Sequence, residues 1–317
     1  MMKIELGIGA PLVDRSRNGV EAKTMSASEV RKARRPLAGA TSIKTKSGFV
    51  RAGVYFCSGI TFAVLIYMLV YIFVKGVPYL SSSLFSWNYN SENCSVVPAL
   101  VNTLIITLLA LLIACPLGIG SAIYLVEYAR KGNRFVNVVR MTTETLTGIP
   151  SIIYGLFGML LFVEFLHWGY SLMAGAATVA IMILPTIMRT TEEALLAVSD
   201  SFREGSYGLG AGKLRTVFKV ILPSAVPGIL SGVILATGRV AGETAALIYT
   251  AGTVAQVPEN LFGSGRTLAI HMYVLSSEGL HTGQAFATAV VLLIMVFGIN
   301  ALASLVPKKI KRWAKNE

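Results

Sequence analysis

Six apolar stretches, at about 52–74, 98–126, 141–166, 170–188, 224–250 and 284–306, limit what this chain can fold into more than any other feature. Most reach the ~20 residues that a helix needs to cross ~30 Å of hydrocarbon. With 54% hydrophobic and only 14% charged residues, the chain carries more apolar surface than a soluble core can hide. The expected fold is an all-α integral membrane protein with six transmembrane helices.

A formal net charge of +12 would point to nucleic acid in a soluble protein. Here 25 of the 28 Lys and Arg fall in 1–51, 127–140, 189–223 and 307–317, leaving only Lys75, Arg239 and Arg266 elsewhere. Basic residues accumulate on the cytoplasmic side, so both termini are expected there and the charge is a topology signal. Residues 1–51 read as a basic cytoplasmic N-terminal tail, with Arg31-Lys32-Ala33-Arg34-Arg35 and no apolar run suited to a cleavable signal. Residues 307–317 read as a second basic cytoplasmic tail. Trp87, Tyr89 and Trp168 fall near outer helix ends, as interfacial aromatics do.

No metal or catalytic site is indicated. Cys57, Cys94 and Cys115 make no C-x-x-C pair and read as packing residues, and His167, His271 and His281 are scattered without ligand spacing. Gly228-x-x-x-Gly232 and Gly238-x-x-x-Gly242 each lie on one helical face, which suits tight helix packing.

Between the fourth and fifth apolar stretches the chain reads Glu204-Gly205-Ser206, three residues, Gly210, nine residues, then Val220-Ile221-Leu222-Pro223. This resembles the signature of ATP-binding cassette (ABC) importer permeases, with Gly205 and Ser206 for two alanines and Val220 for isoleucine. The resemblance implies that 189–223 is a cytoplasmic coupling loop docked on an ATPase, with Glu204, Gly205, Ser206, Gly210, Leu222 and Pro223 carrying the coupling. Glu204, near the start of a short helix, suits the helix dipole, and Gly210 permits a turn that bulkier residues resist. The nearby Gly208-Leu209-Gly210-Ala211-Gly212-Lys213 lacks the spacing of a phosphate-cradling loop, because Tyr207 and Leu214 stand where glycine and Ser or Thr are required. ATP and Mg would therefore be used by a separate subunit, with no cofactor bound by this chain.

Arg239 lies about fifteen residues into its span, ~22 Å along a helix rising ~1.5 Å per residue. An ionised arginine at that depth costs at least ~2.5–3.5 kcal/mol unless it faces a partner or a pathway. Glu243, four residues on, can pair with it as a structural couple; alternatively the guanidinium recognises a passing oxyanion. Arg189 by itself reads as a flanking charge.

Arg189-Thr190-Thr191-Glu192 and Ala241-Gly242-Glu243-Thr244-Ala245 resemble stretches of the PstA family of phosphate permease subunits. So do Ile123-Tyr124-Leu125-Val126-Glu127-Tyr128 and Ile149-Pro150-Ser151. The likeness covers about 97–306. It implies a five-helix ABC importer permease (MetI-like) core over that range, an extra N-terminal transmembrane helix at 52–74, and a substrate pathway lined by Arg239, Glu243 and Arg189. It further implies an inner-membrane location and, as partners, a PstC-like permease subunit in a heterodimer, two PstB-like ATPase subunits and a PstS-like binding protein. Ala246 stands where the family commonly has proline, which implies a less kinked helix there. The rival readings are the PstC-type subunit, a permease for phosphonate or sulfate, an ion-driven secondary transporter, and a membrane enzyme.

Overall fold

The computed structural model describes residues 40–130 and 132–313, with side chains over 50–305. Most of the basic tail expected over 1–51 and the last positions of the tail expected over 307–317 lie outside the described residues. The chain divides into two compact units, one ending at Tyr67 and one spanning Met68–Glu317. In the first unit the described chain is helical from Ala40 onward; the helical bundle belongs to the second.

Every regular element among the described residues is helical. The chain runs through α1 (Ala40–Gly76), α2 (Val97–Ile123), α3 (Arg134–Thr147), α4 (Ser151–Gly158), α5 (Leu172–Leu196), α6 (Asp200–Gly208) and α7 (Lys213–Thr216). It continues through α8 (Leu222–Ala241), α9 (Ala245–Ile248), α10 (Leu268–Glu278) and α11 (Thr282–Trp313). Wider π-helical turns extend α2 over Tyr124–Tyr128, extend α4 over Met159–Phe165, and join α7 to α8 over Val217–Ile221.

Five helical segments are long and apolar enough to cross a membrane: Val50–Tyr79, Val97–Tyr128, Leu172–Leu196, Lys213–Ala241 and Thr282–Leu305. The sixth apolar stretch, expected as one span over 141–166, is instead a pair of helices bent by 103° between Thr147 and Ser151. Pro150 explains the bend, since it offers no N–H to the Leu146 carbonyl and disfavours helical geometry in the residue before it. That carbonyl is satisfied by the Ile149 N–H at 3.2 Å and by the hydroxyl of buried Tyr154 at 2.8 Å.

The core is built on close backbone approach. Ala110 and Ala114 of α2, Ala176, Ala180 and Ile183 of α5, and Ala236 and Val240 of α8 share one buried cluster. Among helices in a bilayer, small residues substitute for the missing hydrophobic drive by bringing backbones into contact. The two glycine pairs differ here. A Cβ on Gly232 would overlap Thr190 and one on Gly228 would press on Ala194, whereas Gly238 has open space and Gly242 is nearly as free.

The Gly228–Ala194 and Gly232–Thr190 contacts also set the register: α8 runs antiparallel to α5, four residues up one for four down the other. Continuing it places Val240 near Met182 and Ile183, with which it shares the core. α8 therefore stops level with the middle of α5. The span expected over 224–250 is broken at Gly242-Glu243-Thr244 and resumes as α9, which carries Ala246 against Gly155 and Leu247 against Gly175. The less kinked helix expected at Ala246 is not found, because the break falls just before it.

At the end of the bundle remote from 189–223, Asn102 of α2 donates to the carbonyls of Gln256 (2.9 Å) and Arg266 (3.2 Å), and Thr103 accepts from the Leu268 N–H at 2.9 Å. Arg266 is buried with its guanidinium 4.4 Å from the Tyr89 ring centre. Beside it His271 is fully buried, its Nε2 3.2 Å from the Cys94 carbonyl. Burial first, and then the Arg266 charge, push its pKa down to about 3, so it is neutral at physiological pH.

Candidate functional site

The loop between α5 and α8 is shaped by its caps. Ser199 accepts from the Ser201 N–H and opens α6, so Asp200 fills the first turn and Glu204 sits mid-helix, a turn later than the expected dipole position. At the other end Gly210 adopts φ +80°. There its N–H reaches the Tyr207 carbonyl (2.9 Å) and the Ala211 N–H reaches Ser206 (3.1 Å), closing the helix in a Schellman turn. This bears on Gly210 directly, since only glycine takes that φ without strain.

No residue of α6 is buried. A Cβ on Gly205, Gly208 or Gly212 would meet nothing, so nothing within the chain demands their small size. Around this bare backbone stand Leu209 (91% exposed), Leu214, Phe218, Phe202 and Tyr207. The signature's far end packs inward. Ile221 and Ala225 are buried with Leu195, Val217 and Ile123, Leu222 is half-buried against them, and Pro223 is exposed in the first turn of α8.

Three residues that sequence reasoning missed hold the loop. Arg203 donates to the Glu127 carboxylate from Nη2 (2.7 Å) and Nε (3.2 Å), to Asp200 (3.0 Å), and to the carbonyls of Val198 (2.9 Å) and Leu195 (3.1 Å). The Arg203 and Glu127 side chains are 15% and 5% exposed. The Glu127 carboxylate bonded to it raises the Arg203 pKa above its ordinary range, against burial, which pulls it down. Ser206 bonds the hydroxyl of fully buried Thr216 at 2.8 Å. The signal for Glu127 is a carboxylate at the end of an apolar span, which must find a partner when buried. Its partner is 76 positions away, beyond any local pattern.

The three expected pathway residues are not brought together. Arg239, at the mid-depth end of α8, is exposed and makes no hydrogen bond or ion pair with the described residues. Glu243 is buried, and its Oε1 accepts from the Ala246 N–H at 3.1 Å, capping α9. The Arg239–Glu243 pair allowed by the spacing is not formed, because the helix that would stack the two ends at Ala241. Arg189 lies near the other end of α5, bonded to Glu193 (3.1 Å) and 4.0 Å from Glu144. With Arg140, paired to Glu192, these residues line a cleft of about 230 Å³ between α3 and α5. Arg239 is seven residues above the Thr190 contact at Gly232, or ~10 Å along α8.

The arrangement offers an exposed loop helix, a half-helix ending level with the middle of α5 whose guanidinium is unpaired among the described residues, and a charged cleft between α3 and α5. Among the described residues there is no group of His, Cys, Asp and Glu able to hold a metal ion.

Residues 114–312 match the family described as "Binding-protein-dependent transport system inner membrane component". The probable ABC transporter permease protein YqgI of Bacillus subtilis (strain 168) is 33% identical over 281 residues, covering 80% of this chain and 94% of that protein. The phosphate transport system permease protein PstA 1 of Mycobacterium tuberculosis (strain CDC 1551 / Oshkosh) is 35% identical over 211 residues, covering 66% of this chain and 69% of that one. A chain of a bacterial alginate ABC transporter, solved with an alginate pentasaccharide-bound periplasmic protein, shares the fold. Its TM-score is 0.63 at 15% identity, over 84% of this chain and 96% of that one.

Proposed function

We propose, since this chain belongs to the binding-protein-dependent transport system inner membrane component family, that it is the PstA-type subunit through which an ABC importer carries inorganic phosphate into the cytoplasm. As a permease subunit of an ABC importer it works with a separate ATPase. The partners fitting the phosphate reading are a PstC-like permease, two PstB-like ATPases using ATP and Mg, and a PstS-like phosphate-binding protein. In this reading the termini and the 189–223 loop face the cytoplasm of a cell with this chain in its inner membrane, the core spans 97–306, and 52–74 is the added helix.

Arg239 is the observation that carries the reading. A charge level with the middle of α5, on a helix that stops there and with the Glu243 carboxylate engaged on the Ala246 N–H, is available to an anion in transit. Its planar fork matches phosphate oxygens. Similarity to a phosphate permease of Mycobacterium tuberculosis supports the choice of phosphate. Closure of the ATPases would push the coupling loop, open the cavity outward and admit phosphate from the binding protein. Release of the nucleotide products would return the cavity to the cytoplasm, past Arg189 in its cleft. Binding by the permease should be weak, because a tight site would trap the ion.

The test is uptake of labelled phosphate by cells lacking their own permease, complemented with this chain as wild type or as Arg239→Met, with partner subunits present. Uptake by wild type, resistant to excess sulfate or phosphonate, and its loss in a correctly inserted mutant is the expected result. Normal uptake in the mutant removes Arg239 from the route, and wild-type uptake outcompeted by sulfate or phosphonate reassigns the cargo.

A further inference from the structure

The coupling loop is tied to two spans by two different bonds, one ending within a π-helical turn and one just before another. Ser206 bonds Thr216, which leads into the turn Val217–Ile221 and so into α8. Arg203 bonds Glu127, inside the turn Tyr124–Tyr128 that ends α2. Lys213 adds a contact to the same turn, with its ammonium 5.0 Å from the Tyr128 ring centre.

The four partners of Arg203 separate into two groups. Leu195, Val198 and Asp200 belong to the loop's own stretch of chain and hold α6 against the end of α5. Glu127 alone belongs to α2. Removing Glu127 would therefore leave the loop's shape tied down by three bonds and sever only its charged link to α2. The link is suited to carrying force, being short, two-pronged and nearly dry, where an ion pair is screened far less than at the surface. The turn it grips suits a moving joint, because π turns mark places where a helix can change its winding.

We propose that the Glu127–Arg203 pair is the bond through which the coupling helix moves α2, making Glu127 a positioning residue for the transport cycle. α2 packs along α5 in the most extensive helix pair of the molecule, so displacing its end shifts the wall next to the mid-depth break. This rests on the reading of 200–212 as the loop that docks an ATPase.

The experiment uses the full chain, with Cys57, Cys94 and Cys115 replaced by serine, assembled in liposomes with its permease and ATPase partners. Spin labels at exposed Leu117 of α2 and exposed Ile294 of α11 report the motion of α2 when the complex is trapped with ATP and vanadate, whatever solute it carries. The wild type should show a distance shift. Glu127→Ala should keep its ATPase subunits and hydrolyse ATP within about twofold of wild type while losing at least about half of that shift, and Glu127→Asp should restore most of it. An unchanged shift in Glu127→Ala overturns the proposal. So does loss of the ATPase subunits to the extent seen in Arg203→Ala, which would make the pair a structural tie only. A wild-type complex that hydrolyses ATP without moving α2 also overturns it, whereas one that neither binds nor uses the ATPase overturns the docking reading beneath it.

Discussion

Arg203 and Arg239 are the same residue in opposite situations. Arg203, on α6 in the loop between α5 and α8, is 15% exposed and spreads five hydrogen bonds over four residues. Arg239, where α8 stops at mid-depth, is exposed and bonds none of the described residues. A guanidinium cannot shed its charge, so each arrangement states how that charge is stabilised. At Arg203 the chain supplies the partners; at Arg239 none of the described residues does. The first arginine is therefore fixed in place by the chain, and the second is not.

Arg203→Ala gives the sharpest test of that contrast. It strands the Glu127 carboxylate, 5% exposed, and removal of one member of a buried pair costs about 3–5 kcal/mol. We expect a marked drop in the thermal unfolding temperature of the detergent-solubilised chain and in membrane expression. A stable mutant would erase the difference between the two arginines.

Arg266 gives an intermediate case, buried over Tyr89 beside the neutral His271. The cost appears in the histidine, whose pKa falls from an ordinary 6.5 to about 3. Between those values the unfolded chain binds a proton that the folded chain refuses, so stability rises with pH across the window and is complete above about 6.5. At pH 5 the loss is about 2 kcal/mol, at ~1.4 kcal/mol per unit. Acid should loosen this end first, seen as faster hydrogen exchange in α10. In His271→Phe, which does not titrate, that acid sensitivity should disappear.

Gly210→Ala probes the loop's backbone apart from its charges. The residue has open space and φ +80°, so the cost is conformational, ~1–2 kcal/mol. The amide of Ala211, bonded to Ser206, should exchange faster, while α2 and α5 stay protected.

The smallest expected effect is Arg239→Met on stability. With no partner lost, unfolding should shift by less than about 0.5 kcal/mol, although phosphate uptake is expected to disappear. A large destabilisation would show that the arginine is held after all.

Much of this was legible in the residues. Apolar runs of membrane-spanning length required helices, because only a helix satisfies the polar groups of a lipid-surrounded backbone within one segment, and barrel strands alternate rather than run continuously apolar. The loop's turn was readable because it depends on local chemistry, Gly210 taking a left-handed φ and the spacing to Leu222-Pro223 lying along one stretch of chain, whereas the Ser199 cap that moves Glu204 to mid-helix was not read. The expected pathway residues were harder to read. Helical spacing allowed an Arg239–Glu243 pair, but spacing presumes an unbroken helix, and the chain breaks between them to place Glu243 on the Ala246 amide.

Local rules and total apolarity were enough to specify a helical membrane protein, a glycine turn in the loop between α5 and α8, and an arginine within an apolar stretch. Where the helices stop and which charges meet was left to tertiary packing. The end of α8 at half height and the Glu127–Arg203 bond both depend on contact between segments far apart in the chain. Distant partners compete for the same groups, and the winner is set by burial, which no local window contains.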